Sequence, residues 1–392
     1  MDLLKILLII TLLSIPTGEM LRIQLTREIG INFIDIAVGV TGFYGIFYLL
    51  KNKISISRIE LYFLAFIAVG IISLIINFKN VSNDQFFISA LYPLRLLFLF
   101  MILPLIRIQD KKFKKKLEAI LILDGLIIVI EGIMQFFLYP SLRNLYYLGW
   151  DEHLYRLFST FLDPNFTGVF LILFIVLLIP KARKNLRFGS LAISLSIAAL
   201  VLTYSRAALL SFSLVAFLFL FLNKRKYIPI FILILGSVLL VQANTIRSEG
   251  TNLFRTTSTF ARIGSFGLAV DIFKAHPILG VGFNSYRYAS NKYLNPPLKK
   301  ESLFPSHGQS APDNSFLFVL ATAGIIGFIL YLSFWRILII KYLRNLRSFD
   351  SQVIIFSIIV LFVSSFFVNA LFYTPILLWF FSVLGIRENN SA

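Results

Sequence analysis

Arg206 lies in Leu202-Thr203-Tyr204-Ser205-Arg206-Ala207-Ala208, a short polar turn between two apolar runs with no acidic residue nearby to balance it. Arg262 stands near the start of Phe260–Lys274, where Phe260, Ile263, Phe266, Val270 and Phe273 recur at helical spacing. Arg156 precedes Phe158-Ser159-Thr160-Phe161-Leu162-Asp163-Pro164-Asn165, and Arg95 interrupts an apolar run in Tyr92-Pro93-Leu94-Arg95-Leu96. A charge inside a membrane span costs roughly 2.5–3.5 kcal/mol even on the lenient scale, so such residues are kept for a partner. A planar guanidinium suits a phosphate, which it holds through two parallel hydrogen bonds. The plainer account is that these arginines snorkel to headgroups or pair with Asp163 and Asp271. Arg95 and Arg156 fit either account. The Ser205-Arg206 turn leaves little room for anything but an inward cation.

A second chemical patch is Ser306-His307-Gly308-Gln309-Ser310-Ala311-Pro312-Asp313-Asn314-Ser315. Asp313 and Asn314 precede an apolar run, where one such residue serves as a helix N-cap. A cap does not account for a Pro-Asp-Asn cluster with His307 six residues before Asp313. A carboxylate or imidazole there accepts a proton from a hydroxyl. Other chemistries lack their residues. There is no Cys, and three scattered His give no metal-ligand spacing, so no metal or other cofactor is expected. Gly280-Val281-Gly282 lacks the third glycine and the preceding strand of a dinucleotide site. No Walker A pattern and no Gly-x-Ser-x-Gly elbow is present. The energy for a reaction then comes from the substrate itself.

The elements that must position these residues are membrane spans. Of 392 residues 58% are hydrophobic and 14% charged, with Phe alone occurring 42 times, and the mean hydropathy is +0.84. Soluble chains carry roughly 45–50% apolar and about 25% charged residues. Hydropathy and breakers predict an all-α polytopic fold of about twelve spans. They fall near Leu3–Pro16, Gly30–Leu50, Ile59–Ile76, Phe86–Ile106, Leu117–Leu138, Asn165–Pro180, Gly189–Tyr204, Ala207–Leu222, Ile228–Val241, Ser315–Ile340, Val353–Asn369 and Pro375–Ile386. The first lacks a small-x-small cleavage pattern and reads as an uncleaved span.

Lys and Arg cluster in alternate loops, at Lys51–Arg58, Arg107–Lys116, Lys181–Arg187, Lys224–Lys226 and Lys341–Arg347. This explains the net charge of +18 as a topology signal and argues against nucleic-acid binding. The positive-inside rule makes that side cytoplasmic, with both termini inside. The whole chain, 1–392, reads as one membrane domain. Between spans 9 and 10 it carries a large external loop, 242–314, with an amphipathic helix at Phe260–Lys274 lying against the membrane face. Tyr139–Asp163 is a second external segment. A secondary transporter or lipid-linked sugar flippase also fits twelve spans, but no internal repeat or paired broken helices support it.

Three patches in order resemble the bacterial O-antigen ligase and O-antigen polymerase superfamily. They are Thr203-Tyr204-Ser205-Arg206-Ala207-Ala208-Leu209-Leu210; Arg262 with Phe273-Lys274-Ala275-His276-Pro277-Ile278-Leu279-Gly280-Val281-Gly282-Phe283-Asn284; and Asp313-Asn314-Ser315-Phe316-Leu317 followed by Ala323-Gly324-Ile325-Ile326-Gly327. Arg156 to Gly168 resembles a further, weaker patch. The resemblance implies a polytopic fold similar to the GT-C-type membrane glycosyltransferases. It also implies an inverting, metal-independent glycosyltransferase at the periplasmic face of the inner membrane. Its donor would be an oligosaccharide on undecaprenyl pyrophosphate, and a chain-length regulator would be a further partner. Arg206 and Arg262 would hold the pyrophosphate, with Arg156, Arg95 and Asn314 as further binding residues. Asp313 would be the base, or His307 from a displaced position. The ligase pattern has His-Asn where this chain has Asp313-Asn314, which looks more like the polymerase branch.

Overall fold

The computed structural model describes residues 2–26, 28–244, 246–293 and 310–388. Each of the twelve apolar segments is an α-helix. In chain order these are α1 (Leu3–Leu13), α2 (Phe33–Lys51), α3 (Arg58–Ile76), α4 (Asn83–Arg107), α5 (Lys111–Leu138), α6 (Pro164–Lys184), α7 (Leu186–Leu202), α8 (Arg206–Asn223) and α9 (Ile228–Asn244). After α9 come α10 (Thr257–Ala275) and α11 (Tyr286–Tyr293), and then α12 (Ser315–Leu343), α13 (Phe349–Ser365) and α14 (Thr374–Arg387). A two-stranded antiparallel hairpin, β1 (Arg22–Gln24) against β2 (Gly30–Asn32), leads into α2.

Among the described residues seven helices, α2, α3, α4, α6, α8, α9 with the turn before it (Arg225–Asn244) and α12, are long and apolar enough to cross a membrane. The apolar helices α1, α7, α13 and α14 are shorter, and α5 opens with five lysines and carries Asp124 and Glu131 within its length. Local chemistry sets the starts. Ser57 and its N3 residue Glu60 close a capping box on α3, Asp163 caps α6 with Pro164 at its first position, and Ser205 caps α8.

Aromatic rings fill the interior where α3, α4, α12 and α14 meet. Phe63 stacks on Phe100 at 4.4 Å between centroids and meets Phe334 and Phe381 edge-on. Offset and edge-to-face contacts of this kind are favoured by the ring quadrupole.

The charged groups show which helix ends meet. At one end Arg107 reaches Glu60 at 3.0 Å, Lys5 meets Asp110 at 3.0 Å, and Lys181 and Arg387 share Glu118. Lys341 pairs with Glu388 at the same end, and Asn223 reaches Gln352 at 3.2 Å. All five basic clusters of the sequence belong to this end. The opposite end carries the α1–α2 hairpin, the 139–163 segment, the α7–α8 turn, α10 and α11.

The tenth apolar segment departs from the continuous helix expected of it. α12 is broken at Gly324, which adopts φ 64°, ψ −166°. Such backbone is open essentially to glycine alone. The chain segment after α10 enters the break. Val281 and Gly282 donate their N–H to the carbonyls of Ala321 and Thr322 at 2.9 and 3.1 Å, while Ile325 N–H reaches back to the Pro277 carbonyl at 2.9 Å. Asn77 of α3 donates to the Gly280 carbonyl at 3.1 Å, and Phe283 packs among Phe66, Tyr92, Phe318 and Phe372. The Gly280-Val281-Gly282 turn is thus a strap buried in the bundle. It satisfies helix carbonyls that a break in an apolar interior would otherwise orphan.

A Cβ at position 324 would lie 2.2 Å from the Ile278 carbonyl oxygen. Gly324→Ala is therefore expected to destabilise the protein by at least the roughly 1–3 kcal/mol of backbone strain. The measurement is the thermal midpoint in detergent. Gly236→Ala, where a Cβ meets nothing within 4 Å, should leave that midpoint unchanged.

Candidate functional site

The α7–α8 turn is the centre of the site. Two of its carbonyls are each held by an arginine from elsewhere in the chain. Arg156 Nε donates to the Thr203 carbonyl at 2.9 Å, and Arg255 Nη2 donates to the Tyr204 carbonyl at 3.2 Å. Tyr204 itself sits at φ 49°, a left-handed conformation that needs such support. Arg206, the first residue of α8, reaches the other way. Its Nη1 donates to the carbonyls of Arg255 at 3.0 Å and Leu253 at 3.3 Å, and its Nη2 to the hydroxyl oxygens of Ser258 at 2.7 Å and Thr259 at 3.3 Å. The start of α10 is therefore fastened to the α7–α8 turn, and Arg262 stands one turn further along α10.

α10 in turn meets the start of α12. The Asp313 N–H donates to Ser265 Oγ at 3.2 Å, and Arg262 lies over the Phe367 ring at 5.9 Å. Asn314 caps α12, its side-chain oxygen accepting the N–H groups of Phe316 at 2.9 Å and Leu317 at 3.0 Å. Asp163 plays the same part on α6. Ser205 Oγ reaches the Asn165 side chain at 3.0 Å, which joins the α6 and α8 starts. Four helix N-termini or turns and one amphipathic helix thus converge at one end of the bundle.

Four guanidinium groups share this place with Asp163 and Asp313. Arg156 is pushed down to about 9, by burial first and then by the charges of Arg255, Arg262 and Arg206. Arg255 is pushed down to about 10 by burial and by Arg206 and Arg262. Arg262 is lowered by burial and by Arg206, while Asp313 acts in the opposite sense. The arginines therefore repel one another in a half-buried place, with Glu249 and Asp151 as further acidic neighbours of the cluster. Arg156 is 6% exposed, and its Nη2 is buried with no hydrogen-bond partner among the described residues. A buried donor left unmade is costly, and an anion satisfies both the donor and the charge. The Asp313 carboxyl is pushed up to about 6 by burial, which outweighs the neighbouring Arg262 charge.

The structure thus brings together Arg156, Arg206, Arg262, Asp313 and Asn314. Asn314 spends its oxygen on the helix cap, so its capping role accounts for it. Arg95 is elsewhere: in α4 it pairs with Asp35 of α2 at 3.5 Å and stacks on Tyr92 at 4.5 Å, which is the structural pairing of a charge within a span. His307 lies outside the described residues. The helix expected at Phe260–Lys274 is α10, with Phe260 and Ile263 70% and 59% exposed and Ala269 and Ile272 fully buried.

Arg255 is the residue that sequence reasoning missed. It sits in a polar loop segment with no motif, and its burial at 7% exposure arises from three carbonyls it reaches. Those are Gly250 at 2.9 Å, Asn252 at 3.0 Å and Tyr204.

Residues 191–332 match a family model described as O-antigen ligase. The matched range holds the α7–α8 turn with Arg206, α10 with Arg262, the strap, Asp313 and the start of the broken helix. No curated protein matches the chain.

Arg255→Lys keeps the charge but cannot span three carbonyls with a planar fork. It is expected to loosen the 250–256 segment from the α7–α8 turn, which faster amide hydrogen exchange at those residues would show. Equal protection in variant and wild type would mean that Arg255 does not fasten the segment.

Proposed function

We propose that the protein is an inverting, metal-independent glycosyltransferase that polymerises oligosaccharide repeat units carried on undecaprenyl pyrophosphate. The observation that carries this reading is the gathering of Arg156, Arg206, Arg255 and Arg262 around Asp313, close enough for the arginines to repel one another. The family match indicates an O-antigen ligase or polymerase type of function, whose members are glycosyltransferase-like enzymes acting on lipid-linked glycans in a membrane.

In this reading an acceptor hydroxyl attacks the anomeric carbon of the donor sugar, and Asp313 accepts its proton. The bond from that carbon to the pyrophosphate oxygen breaks, and the lipid pyrophosphate leaves with the electron pair, so the anomeric centre inverts. Arg206 and Arg262 hold the pyrophosphate, and the buried Arg156 adds its charge behind the α7–α8 turn. Fixed positive charge aimed at a leaving group stabilises the charge that develops there. A carboxyl near 6 is ionised at neutral pH yet more basic than a solvated Asp, which suits a general base.

The proposed orientation has twelve helices in the inner membrane, the basic end and both termini cytoplasmic, and the arginine end periplasmic with α10 at the membrane surface. A chain-length regulator is the protein partner this reading carries. The alternative is a ligase that transfers the glycan to lipid A–core. The Asp313-Asn314 pair favours polymerisation. Cells lacking the protein would distinguish the two. A surface glycan capped by a single repeat unit means a polymerase, and none at all means a ligase.

Alanine in place of Arg206 or Arg262 is expected to cost about 10²-fold or more in glycan elongation by the purified protein, the weight of one preorganised donor at developing charge. Asp313→Asn should cost roughly 10²–10⁴-fold. Because the Asp313 carboxyl is raised, its protonated form is inactive and accumulates as pH falls. Elongation should therefore be flat above about pH 6 and drop about tenfold for each unit below it. A profile flat down to pH 4.5 would remove Asp313 as the base.

A further inference from the structure

The opposite end of the bundle holds a cavity of about 440 Å³ lined by Glu118 of α5, Pro180, Lys181, Arg183 and Lys184 of α6, Phe349 and Asp350 of α13, and Arg387 of α14. Its volume is within the roughly 300–1,000 Å³ of small-ligand sites. Four cations face two carboxylates. The carboxylates are already used: Glu118 accepts from Lys181 at 2.7 Å and from Arg387, and Asp350 meets Arg387 at 2.8 Å. Arg183 packs on the Phe349 ring at 4.6 Å, and neither it nor Lys184 closes an ion pair with a described carboxylate. The Arg387 Nε is buried with no partner among the described residues. Two positive charges without an ion pair among the described residues therefore line a pocket between helix ends.

We propose that this cavity binds the phosphate of an anionic phospholipid headgroup. Basic pockets between transmembrane helices recognise such headgroups through charge and hydrogen bonding together. Arg183, held flat by Phe349, presents its guanidinium edge to the phosphate, and Lys184 adds a point charge. Arg387, fixed by Glu118 and Asp350, adds its charge to the lining. The position favours a lipid over a soluble anion. α7 starts two residues after Lys184 and exposes Leu186, Phe188 and Leu191 at 74%, 40% and 63%, apolar surface on which acyl chains lie. The bound headgroup ties α6, α13 and α14 together at the end remote from the arginine cluster.

The test is lipid retention by the full-length protein in detergent, read by native mass spectrometry and by the thermal midpoint. Phosphatidylglycerol, phosphatidylcholine and inorganic phosphate are the probes. Wild-type protein is expected to retain phosphatidylglycerol in preference to phosphatidylcholine and to gain thermal stability from it. The double variant Arg183→Gln/Lys184→Gln should weaken that binding about 25-fold, fivefold for each charge removed at an anionic surface. Lys112→Gln/Lys115→Gln, which removes two exposed lysines at the same end, should not. The single variant Lys184→Gln serves if the double variant fails to fold. Equal retention by variant and wild type, or equal retention of the two lipids, overturns the proposal. Displacement of the lipid by millimolar inorganic phosphate also overturns it, because the site would then belong to a soluble anion.

Discussion

The structure depends on arginines packed close to one another at one end of the bundle. At the basic end several cations close on carboxylates, as Arg107 does on Glu60 and Lys181 and Arg387 do on Glu118. At the other, Arg156, Arg206 and Arg255 spend their hydrogen bonds on carbonyls and hydroxyls. Gathering like charges in a half-buried place is unfavourable. It persists because backbone geometry enforces it: the arginines hold up the turn that gathers them. Removing Asp163 or Asp313 would sharpen the repulsion between the arginines, while an incoming anion relieves it.

The same interactions make the site rigid before a ligand arrives. Thr203 and Tyr204 present carbonyls to Arg156 and Arg255, Arg206 fixes the start of α10, and Ser265 on α10 meets the backbone of Asp313. Segments far apart in the chain are thus linked in series, with Arg156, Arg206 and Arg255 each bonded to the backbone of another segment. Preorganisation of this kind places donors where charge develops and avoids reorganisation during reaction.

Much of this was legible in the amino acids. Apolar runs marked each helix of the bundle, since a span must be apolar along its length. Arg206 was conspicuous because it stands alone between two such runs. What hydropathy does not encode is which backbone a side chain will reach. Arg255 looked like any loop arginine until Tyr204 was seen to lie beside it. Arg95 found its partner in Asp35, sixty residues away. The break in α12 was hidden because Ala323-Gly324-Ile325-Ile326-Gly327 is as apolar as the helix around it. Its meaning appears only when the 277–282 segment is seen to bond there.

The strap across that break has a consequence for how the protein sits in lipid. The break lies about 14 Å along α12 from Ser315, at 1.5 Å per residue. α10 is therefore moored deep in the bundle and does not rest on the lipid surface alone. Bilayers of different thickness tilt helices and shift interfacial segments. Here such adjustment moves α10 and the start of α12 as one piece, so the spacing between Arg262 and Asp313 is insulated from hydrophobic mismatch.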